Sequence, residues 1–140
     1  MEDRYLFKAK RIDNGEWVIG SLIQTPYLGS IRSWISSEQE DKARLREISS
    51  NQAVWRAFEV RTDTICQCTG LKDKNGNLIW ENDIVKINNS KVNMLITFRD
   101  FEIICTIPNE KYYKHRLEYD TEYEVIGNIF DNPELLESEG

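Results

Sequence analysis

Short runs of alternating apolar and polar residues, closed off by Asn, Asp and Gly, recur along this chain. Tyr5, Phe7 and Ala9 alternate with Leu6, Lys8 and Lys10, the period of two that half-buries a β-strand. Asp13-Asn14-Gly15 follows, and its residues tolerate positive φ, so the chain can reverse there and return as Trp17–Ile23. Residues 1–23 therefore read as an N-terminal hairpin. Gln24 to Ser37 reads as a mixed loop, because Pro26 and Gly29 interrupt regular structure, with Trp34 and Ile35 turned inward. Ser37-Glu38-Gln39-Glu40 fits a capping box, and Ala43, Leu45 and Ile48 lie among charges, which predicts a short amphipathic helix inserted over 37–50. A strand starts near Phe58.

The densest patterning falls between Thr64 and Ile87. A β-like run there leads to a hydrophilic turn at Asp73-Lys74-Asn75-Gly76, and a short apolar run from Leu78 leads to a second turn at Glu81-Asn82. Further strands are expected at Val92–Phe98, Phe101–Ile107 and Tyr123–Phe130, with a tight turn at Asn88-Asn89-Ser90. Lys111 to Thr121 reads as a polar, aromatic excursion. Pro133 suits the first turn of a short terminal helix that runs into acid. Many short strands with one helical insert predict a β-rich α+β domain. Its core, 58–130, is expected to curl into a small SH3-like barrel of antiparallel strands, and 131–140 forms an acidic tail.

Composition narrows this picture. At 140 residues, 40% hydrophobic and 30% charged, the chain has the balance of one folded domain. A formal net charge of −6 weighs against non-specific grip on nucleic acid or anionic membrane. No stretch approaches the roughly 20 apolar residues of a membrane-crossing helix, and no secretory signal is expected at MEDRYLFKAKR. Three cysteines, with Cys66 and Cys68 on one face of a strand, read as reduced thiols in a cytoplasm. The sequon Asn88-Asn89-Ser90 is then only a turn.

Candidate chemistry fails on spacing. Cys66-Gln67-Cys68 has one spacer where zinc sites use two to four. Counting from Asp73, the sixth and twelfth positions of a calcium loop are Leu78 and Ile84, not Gly and Glu. The single histidine, His115, sits between Lys114 and Arg116 and has no nucleophile placed beside it by the sequence. Gly70, Gly76 and Gly127 lie too far apart for a phosphate-cradling loop. No catalytic, cofactor or metal residues are assigned. One functional pattern has some support. Lys8, Lys10 and Arg11 share a hairpin with Tyr5, Phe7 and Trp17, and Lys111–Arg116 interleaves basic residues with Tyr112 and Tyr113. Aromatic platforms in basic grooves bind single-stranded nucleic acid.

Several motifs together carry a resemblance. Lys10-Arg11-Ile12-Asp13-Asn14-Gly15-Glu16-Trp17-Val18 with Gly20 comes first, then Thr64-Ile65-Cys66-Gln67 and Thr69–Gly76. Ile79-Trp80-Glu81-Asn82-Asp83-Ile84-Val85 follows, and last come Glu124–Ile129 and Asn132–Leu136. In this order the chain resembles the YopX family of phage and prophage proteins, with 24–56 unmatched. It departs at Cys68, where the family often has an aromatic, and at Asn82, where it often has glycine. Asn tolerates the left-handed conformation better than other residues with a side chain. The resemblance implies a β-rich, self-associating protein without established activity or known catalytic residues.

The functional expectation is a non-enzymatic accessory protein in the cytoplasm of a bacterial host, working through protein contacts as a homo-oligomer. A host or phage protein is its partner, no membrane or cofactor is involved, and the Lys111–Tyr119 loop and the helix after Ser37 supply the contacts. The alternative is a single-stranded nucleic-acid-binding module, and a weaker one is an enzyme of unknown class.

Overall fold

The computed structural model describes residues 5–37, 57–88, 90–99, 102–107, 114–116 and 121–137. The expected helical insertion, apart from Ser37, lies outside them. The chain divides into two compact units, Leu6–Ile65 and Cys66–Gly140, the second joined by Tyr5.

In the first unit, strands β1 (Phe7–Lys10), β2 (Trp17–Tyr27), β3 (Ser30–Ser36) and β4 (Ala57–Val60) run antiparallel in the order β4-β3-β2-β1. The expected hairpin forms in register, Phe7↔Gly20 to Lys10↔Trp17, and Gly15 takes its turn at φ 73. Alternation then sends Ala9, Val18, Ile35, Phe58 and Val60 into one core, with Phe7, Leu22 and Ile65 packed against it. Beyond β1 the bridge Arg11↔Val60 forms, flanked by bonds from Ile12 N to Glu59 O (3.0 Å) and Arg61 N to Lys10 O (2.8 Å). The four strands thus curl around their core, and a single bridge joins the ends. Gly20 permits this packing, since a Cβ there would overlap the Ser36 carbonyl.

The loop expected from Gln24 to Ser37 is instead a second hairpin. Strand β2 continues through Pro26 to Tyr27 and pairs with β3 from Ser21↔Ser36 to Tyr27↔Ser30. The two-residue turn Leu28-Gly29 has φ of 45° and 83°, the positive pair of a type I′ turn. Tyr27↔Ser30 closes that turn, so its neighbour Pro26 faces away from β3, beyond the last β1 pair at Gly20. There its missing N–H deprives no partner. Pro26 and Gly29 do not break the hairpin: one is an edge residue and the other a turn residue.

The second unit holds β5 (Cys66–Lys72), β6 (Leu78–Trp80), β7 (Asp83–Ile87), β8 (Met94–Arg99), β9 (Glu102–Thr106), β10 (Lys114–Arg116) and β11 (Tyr123–Asn128). Strands β5 and β6 pair as a hairpin, and the rest form a sheet in the order β10-β9-β8-β7-β11. Ile79, Val85, Met94, Ile96, Cys105 and Tyr123 make its core. Within the polar, aromatic excursion expected from Lys111 to Thr121, Lys114–Arg116 forms a strand that pairs antiparallel with Ile104–Thr106 of β9. The expected barrel closure is also corrected: β10 and β11 end the sheet, and no ladder joins them among the described residues. The fold is β-rich and antiparallel, as expected. Beyond β11, the terminal helix is one 3-10 turn, Pro133–Leu136, with Pro at its start.

Turn residues position these strands. Gly70 (φ 81), Gly76 (φ 83) and Asn82 (φ 71) take left-handed conformations. The Asp73 carboxylate accepts from Asn75 N and Asn77 N, both 2.9 Å, and from Val125 N at 3.0 Å. A bulge between Val125 and Gly127 interrupts the β7–β11 ladder, and Asp73 thereby satisfies an amide of the interrupted strand. At the end of β11, Asn128 Oδ1 accepts from Phe130 N and Asp131 N, and Asn132 Oδ1 accepts from Asn128 N. A Cβ at Gly127 would press on the Asn132 side chain. Gly127-Asn128 and Asn132-Pro133, two motifs of the resemblance, are therefore one clasp.

Candidate interaction surfaces

The three cysteine thiols are held away from solvent: Cys66, Cys68 and Cys105 are all buried. Burial pushes the Cys105 thiol up to about 12, and an attacking sulfur must be a thiolate. Cys66 Sγ accepts from Asn82 Nδ2 at 3.5 Å. The Asp73 carboxylate is buried and engaged by three backbone amides. Asp83, also buried, accepts from Trp80 N at 2.8 Å. No group of three or more metal-ligating residues occurs among the described residues.

The basic and aromatic residues of the first hairpin do come together. Lys8 Nζ lies 4.7 Å and Lys10 Nζ 5.4 Å from the Trp17 ring centre, within cation–π range. Strand alternation explains this: Lys8 and Lys10 share the face opposite buried Ala9, and Lys10 pairs directly with Trp17. Arg11 leaves the group. Its guanidinium stacks 4.1 Å over Phe58 and binds both oxygens of Asp13, at 2.9 and 2.6 Å. Phe7 packs against the core, and Tyr5 is exposed but belongs to the other unit. Of the Lys111–Arg116 pattern, only Lys114–Arg116 is described, as β10; the rest, and the helix after Ser37, lie outside the described residues.

A surface not expected from the sequence is the end of the β2–β3 hairpin. Strand β1 reaches only to Gly20, and β4 reaches only to Ser33. Residues 24–32 thus form a two-stranded arm, whose tip exposes Tyr27 (51%), Leu28 (91%) and Ile31 (55%). Its root is stiffened by Arg32, which binds Glu59 through two bonds and stacks 5.1 and 5.0 Å from the Tyr27 and Trp34 rings. That Glu59 partnership, led by the side-chain hydrogen bonds, lowers the Glu59 carboxyl pKa and raises that of Arg32. The available signal was the absence of any charged residue from Trp17 to Ile31 in a chain rich in charge.

Two antiparallel β units held by glycine turns and Asn/Asp clasps define a small β-rich protein. The chain belongs to the YopX protein family, which matches residues 6–137. Among solved structures, it is similar to protein EF1440 from Enterococcus faecalis, at 25% identity over 94% of this chain and 96% of that one, with a TM-score of 0.47. No curated protein matches the chain. No helix among the described residues is long and apolar enough to cross a membrane.

Proposed function

We propose that this YopX protein is a phage or prophage accessory protein that acts in the bacterial cytoplasm through protein–protein contacts, as a homo-oligomer and without catalytic activity of its own. The carrying observation is the β2–β3 arm, uncharged from Gln24 to Ile31, which holds Tyr27, Leu28 and Ile31 in solvent. An isolated two-stranded hairpin is marginally stable in water, and exposed aromatic and aliphatic side chains gathered at one place are typical anchors of protein contacts. The test is sedimentation or light scattering of the full chain at micromolar concentration. Self-association is expected, with a Leu28→Asp/Ile31→Asp variant dissociating at least about tenfold more readily. A strictly monomeric wild type overturns the homo-oligomer.

The Lys8–Trp17–Lys10 cluster favours a second reading, a single-stranded nucleic-acid-binding module. That reading expects oligonucleotide binding that weakens steeply with salt and is lost in Lys8→Glu/Lys10→Glu. Absence of binding at low salt dismisses it.

A further inference from the structure

We propose that the depression of about 210 Å³ lined by Lys74, Lys86, Ser90, Lys91, Glu122 and Glu124 binds a small phosphate-class oxyanion. All of these residues belong to the second unit, and the inference does not depend on the arm or on self-association. Three pieces of local structure build the depression. Lys86 lies in β7 directly across from Glu124 of β11. Past the end of β7, Asn88 takes φ 48 and Ser90 N bonds back to Ile87 O at 2.8 Å, which curls Ser90 and Lys91 over the ladder's end. From the other side, the Asp73–Asn77 turn is fastened down by Lys74 N to Tyr123 O at 2.8 Å. Glu122 is fixed in turn, its N–H bonding Asn88 Oδ1 at 3.0 Å and its carbonyl accepting from Asn88 N at 2.8 Å. The backbone of the site is therefore set before any ligand arrives, which lowers the cost of ordering it.

Its charge is unusual for this protein. The chain carries −6, yet the depression gathers three ammonium groups against two carboxylates. One pair is already satisfied within it: Lys74 Nζ meets Glu124 at 2.7 Å. Lys86 and Lys91 make no ion pair among the described residues, and Ser90 Oγ accepts from Val92 N at 3.1 Å, leaving its proton to donate outward. Two ammoniums and a hydroxyl are a donor set for a tetrahedral oxyanion, through charge-assisted hydrogen bonds. Glu122 sets the ligand's size. A polyanionic strand crossing the site would run against that exposed carboxylate, whereas a single phosphate group can sit on the lysine side. The ligand class is thus a free phosphate or a phosphate monoester.

The experiment is an NMR titration of the full-length protein with inorganic phosphate at constant ionic strength, with sodium chloride as the control. Saturable shifts at the amides of Lys86, Ser90 and Lys91 are expected from phosphate and not from chloride. Lys86→Ala and Lys91→Ala are each expected to weaken binding about two- to fivefold, the range of one exposed charge interaction. Glu122→Gln is expected to tighten it by a similar factor, a gain that loss of structure would not produce. These side chains are outside the core, and the unperturbed remainder of each variant's spectrum reports folding. Absence of saturation, an equal response to chloride, or Lys variants that bind like wild type would each overturn the assignment. Tighter binding of an oligonucleotide than of phosphate, abolished by the same Lys substitutions, would overturn the small-ligand class.

Discussion

At the residue scale, buried polar groups do structural work in this protein, and Asp73 is the clearest case. Burial by itself would raise its carboxyl pKa, but the amides of Val125, Asn77 and Asn75 favour the charged form and leave it below the usual 3.8. A depressed folded pKa stabilises the native state above the unfolded value, and that contribution disappears as pH falls through the folded value. Wild type should therefore lose stability below about pH 4 more steeply than Asp73→Asn, measured by urea unfolding at a series of pH values. Asp73→Ala strands three amides and is expected to cost about 2–4 kcal/mol at neutral pH. The cysteines give a second prediction at this scale. With all three buried and Cys105 raised to about 12, a thiol reagent at pH 8 should leave native protein unmodified and label it fully once unfolded.

Turn chemistry governs the elements. Leu28 occupies a left-handed position at φ 45 while almost wholly exposed, so its side chain strains the turn without packing to compensate. Leu28→Asn should stabilise the arm by about 1 kcal/mol, read as a higher denaturation midpoint. Gly20→Ala should do the opposite, by about 1–3 kcal/mol, because the new methyl meets the Ser36 backbone and not a movable side chain. The first hairpin, the Asp73–Gly76 turn and the Asn82 turn were legible in the sequence, because Asp, Asn and Gly at those places bring their own local preference for reversal. The β2–β3 hairpin was not. Pro26 and Leu28 both argue locally against it, and Pro26 is harmless because, among the described residues, no strand pairs with that side of β2 beyond Gly20.

For the whole molecule, charge and patterning set different properties. A net charge of −6 with a pI near 4.9 predicts a solubility minimum near pH 5, visible as turbidity that clears on raising the pH. The sequence by itself determined that the chain is β-rich, where strands such as β1, β2, β8 and β11 lie, that the turns at Gly15, Gly76 and Asn82 can hold positive φ, and that Cys66-Gln67-Cys68 and the Asp73 turn lack zinc and calcium spacing. These are local properties, carried by periodicity and by the conformational range of single residues. The tertiary structure decided which strands pair. It made β10 an edge strand, left the five-stranded sheet open, extended β2–β3 into an arm, and gathered Lys74, Lys86, Lys91 and Glu122 from separate segments into one depression. Pairing between distant segments depends on which edges remain unoccupied and on closing long loops, and neither is written in the order of residues within any one strand.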